Sequence, residues 1–251
     1  PDLKGDFRLI DFKNLYAEKE MITIENEEEL RQALESLPCC TTNSSGKKNG
    51  DPINIIFVGS FQDVGAALVR RNWHATEIIW SKAIWRTIRS FLTNERYRYS
   101  PVSPLFVYGR QQDMAWQKAR GNINRRNHIR MWLSPFRYNG KPIFIGQVSR
   151  DIGVKFTFKS STISTHIIDP DVDEARRYFV EDMVYSQAVT KVGFVKGVGT
   201  IEIDNPKLNL GGDPYYSDGF RAVLFFESSP CSLSQIEIAN WENPLSKSRE
   251  E

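Results

Sequence analysis

The sequence predicts an α+β fold in which a mixed, mostly antiparallel sheet is covered by about four helices. Two observations carry this prediction. Between residues 104 and 226, β-branched and aromatic runs follow one another, and several alternate apolar and polar side chains as half-buried strands do. Other segments place apolar residues at helical spacing behind a residue that can cap a helix. We expect helices near residues 27–37, 60–71, 81–92 and 170–186.

The first helix is predicted from its start signal. Asn26 is a favoured N-cap residue, and the three glutamates that follow it complement the positive end of the helix dipole. An apolar stripe begins at Leu30, and Pro38 ends the helix. We expect residues 1–50 to form an acidic arm together with this helix.

A strand, a tight turn and a helix are predicted around Gly59. Asn54 to Val58 has the β-branched content of a buried strand, and Ser60 can cap the helix that follows. Free amide groups at such a helix start can hold an anion. However, a single glycine without GxGxxG or a Walker lysine is weak support, and Asp63 would repel phosphate. We therefore predict no nucleotide site here.

The third helix, near residues 81–92, has a basic stripe and an apolar stripe and is flanked by Trp80 and Trp85. Two interpretations remain open. The helix lies on an anionic membrane surface, or it covers the sheet and keeps its charges in water.

The last helix follows an acidic segment that runs from Asp169 to Glu174. Its Asp-x-Asp-x-Asp spacing opens like a calcium loop, but the glycine at position six and the glutamate at position twelve are absent. Asp169 as N-cap, Pro170 at the first helical position and acids in the first turn explain the pattern without a metal.

Composition limits the class of protein. The chain has 251 residues, of which 40% are hydrophobic, and is long enough for one large or two small domains. No apolar run approaches the roughly 18 residues that a membrane-spanning helix needs. Cys39 and Cys40 are adjacent, a poor geometry for bonding each other, so at most one of them reaches Cys231. That bridge and three free thiols remain equally open.

The net charge of +2 hides a segregation of charge along the chain. Lys82 to Arg137 holds twelve basic residues against Glu95 and Asp113 alone, while residues 1–37 hold ten acids against five bases. The basic segment suits an anionic partner such as phospholipid head groups, lipopolysaccharide or nucleic acid. The alternative is that it pairs internally with the acidic segments.

The strongest candidate site comes from three polar pieces of the strand-rich half. A period of two puts His128, Arg130 and Trp132 on one face of a strand. A second predicted strand ends in Arg150-Asp151, and His166 precedes the acidic helix start. We expect these pieces to form one supersecondary unit.

Seven ordered segments between residues 50 and 226 share a pattern with a known family. They are Gly50 to Asn54 with Phe57 to Gly59, Asn72-Trp73, Tyr108 to Asp113, Asn127 to Trp132, Ile145 to Asp151, Thr165-His166 with Asp169 to Asp173, and Gly212 to Tyr215 with Asp218 to Arg221. Together they resemble the LssY C-terminal domain family, found alone or behind membrane-spanning segments in bacterial envelope proteins. The resemblance implies a family domain over residues 51–228, followed by a tail over 229–251.

The resemblance also implies a location. We expect the bacterial cell envelope, most specifically the periplasm. An anchor outside this chain is compatible with a sequence that opens at Pro1 without an initiator methionine. A membrane surface or an envelope protein is the expected partner, and a nucleic acid is not. The sequence does not indicate an oligomeric state.

The candidate site allows three interpretations. As catalytic machinery, His128 or His166 is the base or nucleophile, Asp151 or Asp113 orients it, and arginines clamp a phosphate. As a binding pocket, the arginines hold an anionic group without chemistry. As a structural network, the ion pairs Arg150–Asp151 and Asp218–Arg221 hold loops in place. The candidate ligand-binding residues are Arg110, Asp113, His128, Arg130, Arg150, Asp151, His166, Asp218 and Arg221.

We therefore predict a soluble domain of an envelope-associated protein that binds an anionic or lipid-linked ligand or scaffolds a membrane or secretion system. The alternative is a hydrolase of phosphoester or lipid substrates that uses His128, His166 and Asp151. Neither GxSxG nor HExxH occurs, so whether the chain is an enzyme stays open. We expect no cofactor and no metal.

Overall fold

The computed structural model describes residues 15–78, 104–120, 122–156, 164–242 and 244. Its side chains are described throughout these ranges except at 76–78, 120, 122–125, 154–156 and 164–166. The centre of the described structure is a ten-stranded mixed sheet, accompanied by a two-stranded and a four-stranded sheet.

The strands are short except for two. In chain order they are β1 (Ile22–Ile24), β2 (Cys40–Thr42), β3 (Asn49–Pro52), β4 (Ile55–Val58), β5 (His74–Ile78), β6 (Phe106–Val107), β7 (Arg110–Gln111), β8 (Met114–Arg120), β9 (Asn122–Tyr138), β10 (Lys141–Phe156), β11 (Ser164–Ile168), β12 (Val189–Lys196), β13 (Lys207–Leu208), β14 (Pro214–Tyr215), β15 (Phe220–Phe226) and β16 (Glu237–Ile238). The helices are α1 (Glu27–Glu35), α2 (Phe61–Arg70) and α3 (Val172–Val184). Short 3-10 helices span Glu18–Glu20 and Leu233–Gln235.

The large sheet runs in the order β16-β12-β15-β4-β10-β9-β8-β5, with β1 also paired to β9 and β11 to β10. The pairs β1–β9, β4–β15 and β12–β16 are parallel, and the other pairs of this sheet are antiparallel. The small sheets are β3-β2-β6-β7 and β13-β14.

The longest feature is the hairpin of β9 and β10, which contain 17 and 16 residues. Its turn is Asn139-Gly140, and both residues have positive φ, 47° and 76°. Asn-Gly is the favoured pair for a two-residue hairpin turn, because both of its residues tolerate that conformation. The turn places Tyr138 opposite Lys141 and, farther along, His128 opposite Ser149.

Each face of the sheet has its own apolar core. On one face, Leu30 and Leu34 of α1 pack with Ile56, Trp132 and other fully buried side chains. On the opposite face, α2 and α3 pack on a cluster that includes Phe57, Phe144 and Phe179. The sheet is therefore the middle layer of a three-layer arrangement.

The prediction of four helices covering the sheet is wrong. The described chain has three helices and is mostly β-sheet. The helices expected near residues 27–37, 60–71 and 170–186 are α1, α2 and α3, while the segment 81–92 lies outside the described residues. The sheet is larger than expected because β1, β4 and β5, from before residue 104, and β16, from after residue 226, also join it.

Two local predictions are also corrected. Asp171, and not Asp169, caps α3, because its side chain accepts hydrogen bonds from the amides of Asp173 and Glu174. A disulfide joins Cys39 to Cys40, whose Cα atoms are 3.7 Å apart, and Cys231 is a free, buried thiol. The peptide amide of Cys231 is instead bonded to the carbonyl of Gln187, at 2.8 Å.

Within the described residues, no helix combines the length and the apolar character needed to span a membrane.

Candidate functional site

The register of three neighbouring strands brings polar side chains into rows. Gln117 of β8 lies opposite His128 of β9, which in turn lies opposite Ser149 of β10. In the next row, Arg130 lies opposite Gln147. Directly opposed residues of antiparallel strands project from the same face of a sheet, so these side chains are neighbours.

We call this group the polar patch. All of its members are buried, and none is more than 8% exposed. It occupies the α1 face of the sheet, where β9 and β10 continue beyond Trp132 and Ile145 of the apolar core. The polar patch consists of Gln117, Arg126, His128, Arg130, Gln147, Ser149 and Asp151.

A buried pair of His128 and Asp151 is the centre of the patch. His128 Nε2 lies 2.6 Å from Asp151 Oδ2. Asp151 is on the same face of β10 as Ser149 and lies diagonally across from His128. A carboxylate in this position holds an imidazole ring in one orientation and sets which nitrogen carries the proton.

The arginines of the patch are held at its two ends. Arg130 Nη1 donates a hydrogen bond of 2.8 Å to Gln147 Oε1. At the other end, Arg126 Nη1 lies 3.4 Å from Gln117 Oε1. Both guanidinium groups are thus fixed by amide oxygens of neighbouring strands.

A buried acid borders the patch beside Arg130. Burial raises the pKa of Asp51, while the charge of Arg130 and a hydrogen bond from Asn209 lower it. Asn209 Nδ2 donates to Asp51 Oδ1 at 3.0 Å, and the nearby charge of Asp213 raises the Asp51 pKa further. The loop that precedes β14 therefore meets the patch at Arg130.

Some donors of the patch are buried without an acceptor in the part of the chain that the structure describes. Gln117 Nε2 and Ser149 Oγ are shielded from solvent, and neither has a hydrogen-bond partner among the residues that the structure describes. Buried polar groups in folded proteins are nearly always bonded, and an unmatched group costs about 1–3 kcal/mol. These donors are the feature of the patch that packing alone does not explain.

The predicted residues Arg110 and Asp113 form a separate contact near the start of β8. Arg110 binds Asp113, Tyr16 Oη and the carbonyl of Leu133, while Asp113 Oδ2 accepts a hydrogen bond from the Leu133 amide at 2.6 Å. These contacts tie β7 and the residues just before β8 to β9 and to the N-terminal segment.

Arg150 is not part of the polar patch either. Neighbouring residues of a strand point to opposite faces. Asp151 faces His128, so Arg150 points to the opposite face of the sheet. There it contacts Asp169 (2.8 Å) and Glu174 (2.7 Å), at the start of α3. The predicted pair Arg150–Asp151 is not formed.

Asp218 and Arg221 do not pair with each other either. Asp218 binds Arg176 through two bonds of 2.8 and 2.5 Å. Arg221 donates to the carbonyls of Leu34 and Leu37 at the end of α1, and to two others, and burial lowers its pKa to about 10. Arg221 therefore completes the C-terminal end of α1.

His166 lies in β11, where its backbone pairs with Val154 of β10. Its side chain is outside the described part of the structure.

Several patch residues were not singled out from the sequence. Gln117, Arg126, Gln147 and Ser149 were not predicted, and neither was Asp51. The signal for Gln147 and Ser149 is their alternation with Asp151 along β10. For Gln117, only the pairing of β8 with β9 reveals the neighbour.

A groove of about 530 Å³ lies elsewhere. Its lining includes Val58, Tyr138, Lys141, Lys191 and Phe225, and none of the predicted site residues. Lys141 and Lys191 are already paired there with glutamates.

Comparison with known proteins gives one match. Residues 27–220 match the family described as LssY C-terminus. No curated protein and no solved structure matched the chain. The matched residues include the whole polar patch and cover most of the chain. The protein therefore belongs to the LssY C-terminus family.

Proposed function

We propose that the protein binds a small anionic group, such as the phosphate of a lipid-linked or free ligand, at the polar patch. The observation that carries the proposal is the pair of buried donors, Gln117 Nε2 and Ser149 Oγ, that lack an acceptor within the described structure. Oxygens of one ligand would accept from them. The cost of leaving them unbonded would then be recovered on binding.

The charges of the patch support an anion rather than a neutral ligand. Arg126 and Arg130 lie four residues apart on one face of β9, which places their charges along about 13 Å of the strand. Only Asp151 opposes them within the patch. Arg130 also faces Asp51, so part of its charge is compensated there. Guanidinium groups bind phosphate and carboxylate through paired hydrogen bonds.

The burial of the patch limits the size of the bound group. Because no patch residue is more than 8% exposed, a flat polymer surface has little to contact. A single phosphate or carboxylate that enters end-on fits better. The family resemblance suggests an envelope lipid as the source of that group, and the envelope location stays a prediction.

The test is a titration of the full chain with inorganic phosphate and with a short-chain phosphatidic acid, followed by calorimetry. We expect saturable binding. Arg130→Met should weaken it about 10- to 100-fold, and Gln117→Met about 2- to 10-fold, since charged hydrogen bonds are worth more than neutral ones. Binding of phosphatidic acid but not of free phosphate would identify the lipid as the source.

Arg177→Met is the matched control, because Arg177 is exposed on α3 and its weak contact with Asp171 is 3.4 Å long. It should bind as the wild type does. Gln117→Met keeps the test decisive if Arg130→Met fails to fold. Absence of binding to both probes, or binding that none of the patch variants alters, would remove the proposal.

A second candidate function is hydrolysis of the bound ligand. The contact of 2.6 Å between His128 and Asp151 supports it, because a general base needs an imidazole whose orientation is fixed.

A further inference from the structure

Ser149 is the immediate neighbour of the His128–Asp151 pair. Ser149 and His128 are opposed across β9 and β10, and both project to the α1 face. Opposed residues in such a pair have Cβ atoms about 4.5–5.5 Å apart. A serine, a histidine and a buried aspartate therefore lie together within one hairpin.

The Ser149 hydroxyl differs from other buried serines of the protein. Ser134, Ser186 and Ser217 are equally buried, and each donates a hydrogen bond of 2.5–3.0 Å to a carbonyl or carboxylate oxygen. Ser149 Oγ, at 2% exposure, has no such partner in the described part of the chain. Its hydroxyl therefore has no structural bond to lose.

We infer that Ser149 is the nucleophile of a serine ester hydrolase, with His128 as the general base and Asp151 as the residue that orients it. The substrate is a carboxylic ester that carries an anionic group. This inference rests on the proposed function, because the arginines of the patch are the groups that would hold that anion.

The reaction follows from these positions. Ser149 Oγ forms a bond to the ester carbonyl carbon while its proton passes to the His128 imidazole. The tetrahedral intermediate collapses, the carbon–oxygen bond to the alcohol breaks, and the alcohol takes the proton from His128. Water then attacks the acyl-serine in the same way, which releases the acid and restores the Ser149 hydroxyl. With Nε2 on Asp151, proton transfer runs through Nδ1.

Gln117 would supply the hydrogen-bond donor that the tetrahedral intermediate needs. A tetrahedral intermediate carries negative charge on the former carbonyl oxygen, and fixed hydrogen-bond donors stabilise it. Gln117 Nε2 is a buried donor in the same row, on the other side of His128 from Ser149. The Ser149 hydroxyl and the imidazole are not hydrogen-bonded here. Such contacts often tighten only when substrate is bound.

The experiment is covalent labelling of the full chain with diisopropyl fluorophosphate, followed by mass spectrometry of the peptides. We expect one adduct on Ser149. Ser149→Ala should abolish it, and Asp151→Asn should slow labelling on the order of 10²-fold or more. Ser134→Ala, which changes a buried serine on the same sheet, should be labelled as the wild type is. Hydrolysis of 4-nitrophenyl succinate, an anionic ester, should follow the same pattern.

No adduct, an adduct on another residue, or labelling that survives Ser149→Ala would overturn the inference. The phosphate titration separates this failure from that of the proposed function. If phosphate binds at the patch while Ser149 stays unlabelled, only the inference fails. If neither phosphate nor phosphatidic acid binds and Ser149 stays unlabelled, both fail.

Discussion

The polar patch and the Arg176 network are both buried in the same domain, yet they differ in how their polar groups are satisfied. In the Arg176 network, both oxygens of Asp218 and both oxygens of Asp173 accept hydrogen bonds, from Arg176, Ser217 and backbone amides. The polar patch has donors left without acceptors in the described structure. The carboxylates of the Arg176 network, which joins α3 to β15, are satisfied, and Arg176 Nε is its one donor without an acceptor in the described structure. The donors of the polar patch, by contrast, lie beside other cationic side chains, where a ligand oxygen would be favourable.

The comparison predicts the largest loss of stability at Arg176. Arg176→Met should lower the free energy of unfolding by about 3–5 kcal/mol, because it leaves the buried carboxylate of Asp173 without its cation. Urea unfolding measures the change. Arg177→Met, one residue away and exposed, should change it by less than about 0.5 kcal/mol. Similar losses for both variants would mean that the network does not support the fold.

A smaller change in the free energy of unfolding is expected at Asp51, beside the polar patch, and this change should depend on pH. Burial raises the folded-state pKa of Asp51 above its ordinary value of 3.8. The folded state therefore holds its proton more tightly, and stability is lost as pH rises from 3.8 through the folded pKa. Asp51→Asn removes this loss.

Urea unfolding of both proteins between about pH 3 and pH 7 is the measurement. We expect the stability of Asp51→Asn relative to wild type to increase with pH. A difference that stays constant, or falls as pH rises, would contradict the assigned direction of the pKa change.

The smallest change in stability is expected at two buried serines, Ser134 and Ser149, which differ in their hydrogen bonding. Ser134→Ala should cost about 1 kcal/mol, because it removes the hydrogen bond of 2.8 Å to the carbonyl of Ile143. Ser149→Ala should be neutral or slightly stabilising, since its hydroxyl has no partner to lose in the described structure. Thermal unfolding of the two variants decides this. A loss at Ser149 equal to that at Ser134 would indicate a structural role for both.

One rule predicted from the sequence which face of the strand His128 and Arg130 share. Alternation along a strand placed His128 and Arg130 on one face, and the structure has them there. The same rule explains why Arg150 and Asp151 separate, since adjacent strand residues face opposite sides. On β10 the same alternation puts Gln147 and Ser149 on one face, but uncharged side chains gave no reason to include them in the candidate site.

Other features depend on distant pairings that local patterns do not encode. Arg221 is buried because four backbone carbonyls, near the end of α1 and at Gly197, need donors. The sequence alone does not distinguish such a structural arginine from one that binds a ligand. Asp51 meets Arg130 only after β3 and the loop at Asn209 come together. The size of the sheet was underestimated in the same way, because strands from both ends of the chain join it.

The Asn139-Gly140 turn has a consequence for how the polar patch forms during folding. His128 and Asp151 are 23 residues apart in sequence, whereas Arg221 and Leu34 are 187 apart. The entropy lost on closing a chain segment grows with its length, so the hairpin can form before the distant ends of the sheet assemble. The histidine–aspartate contact should accordingly be an early event in folding, and the seating of Arg221 against α1 a late one.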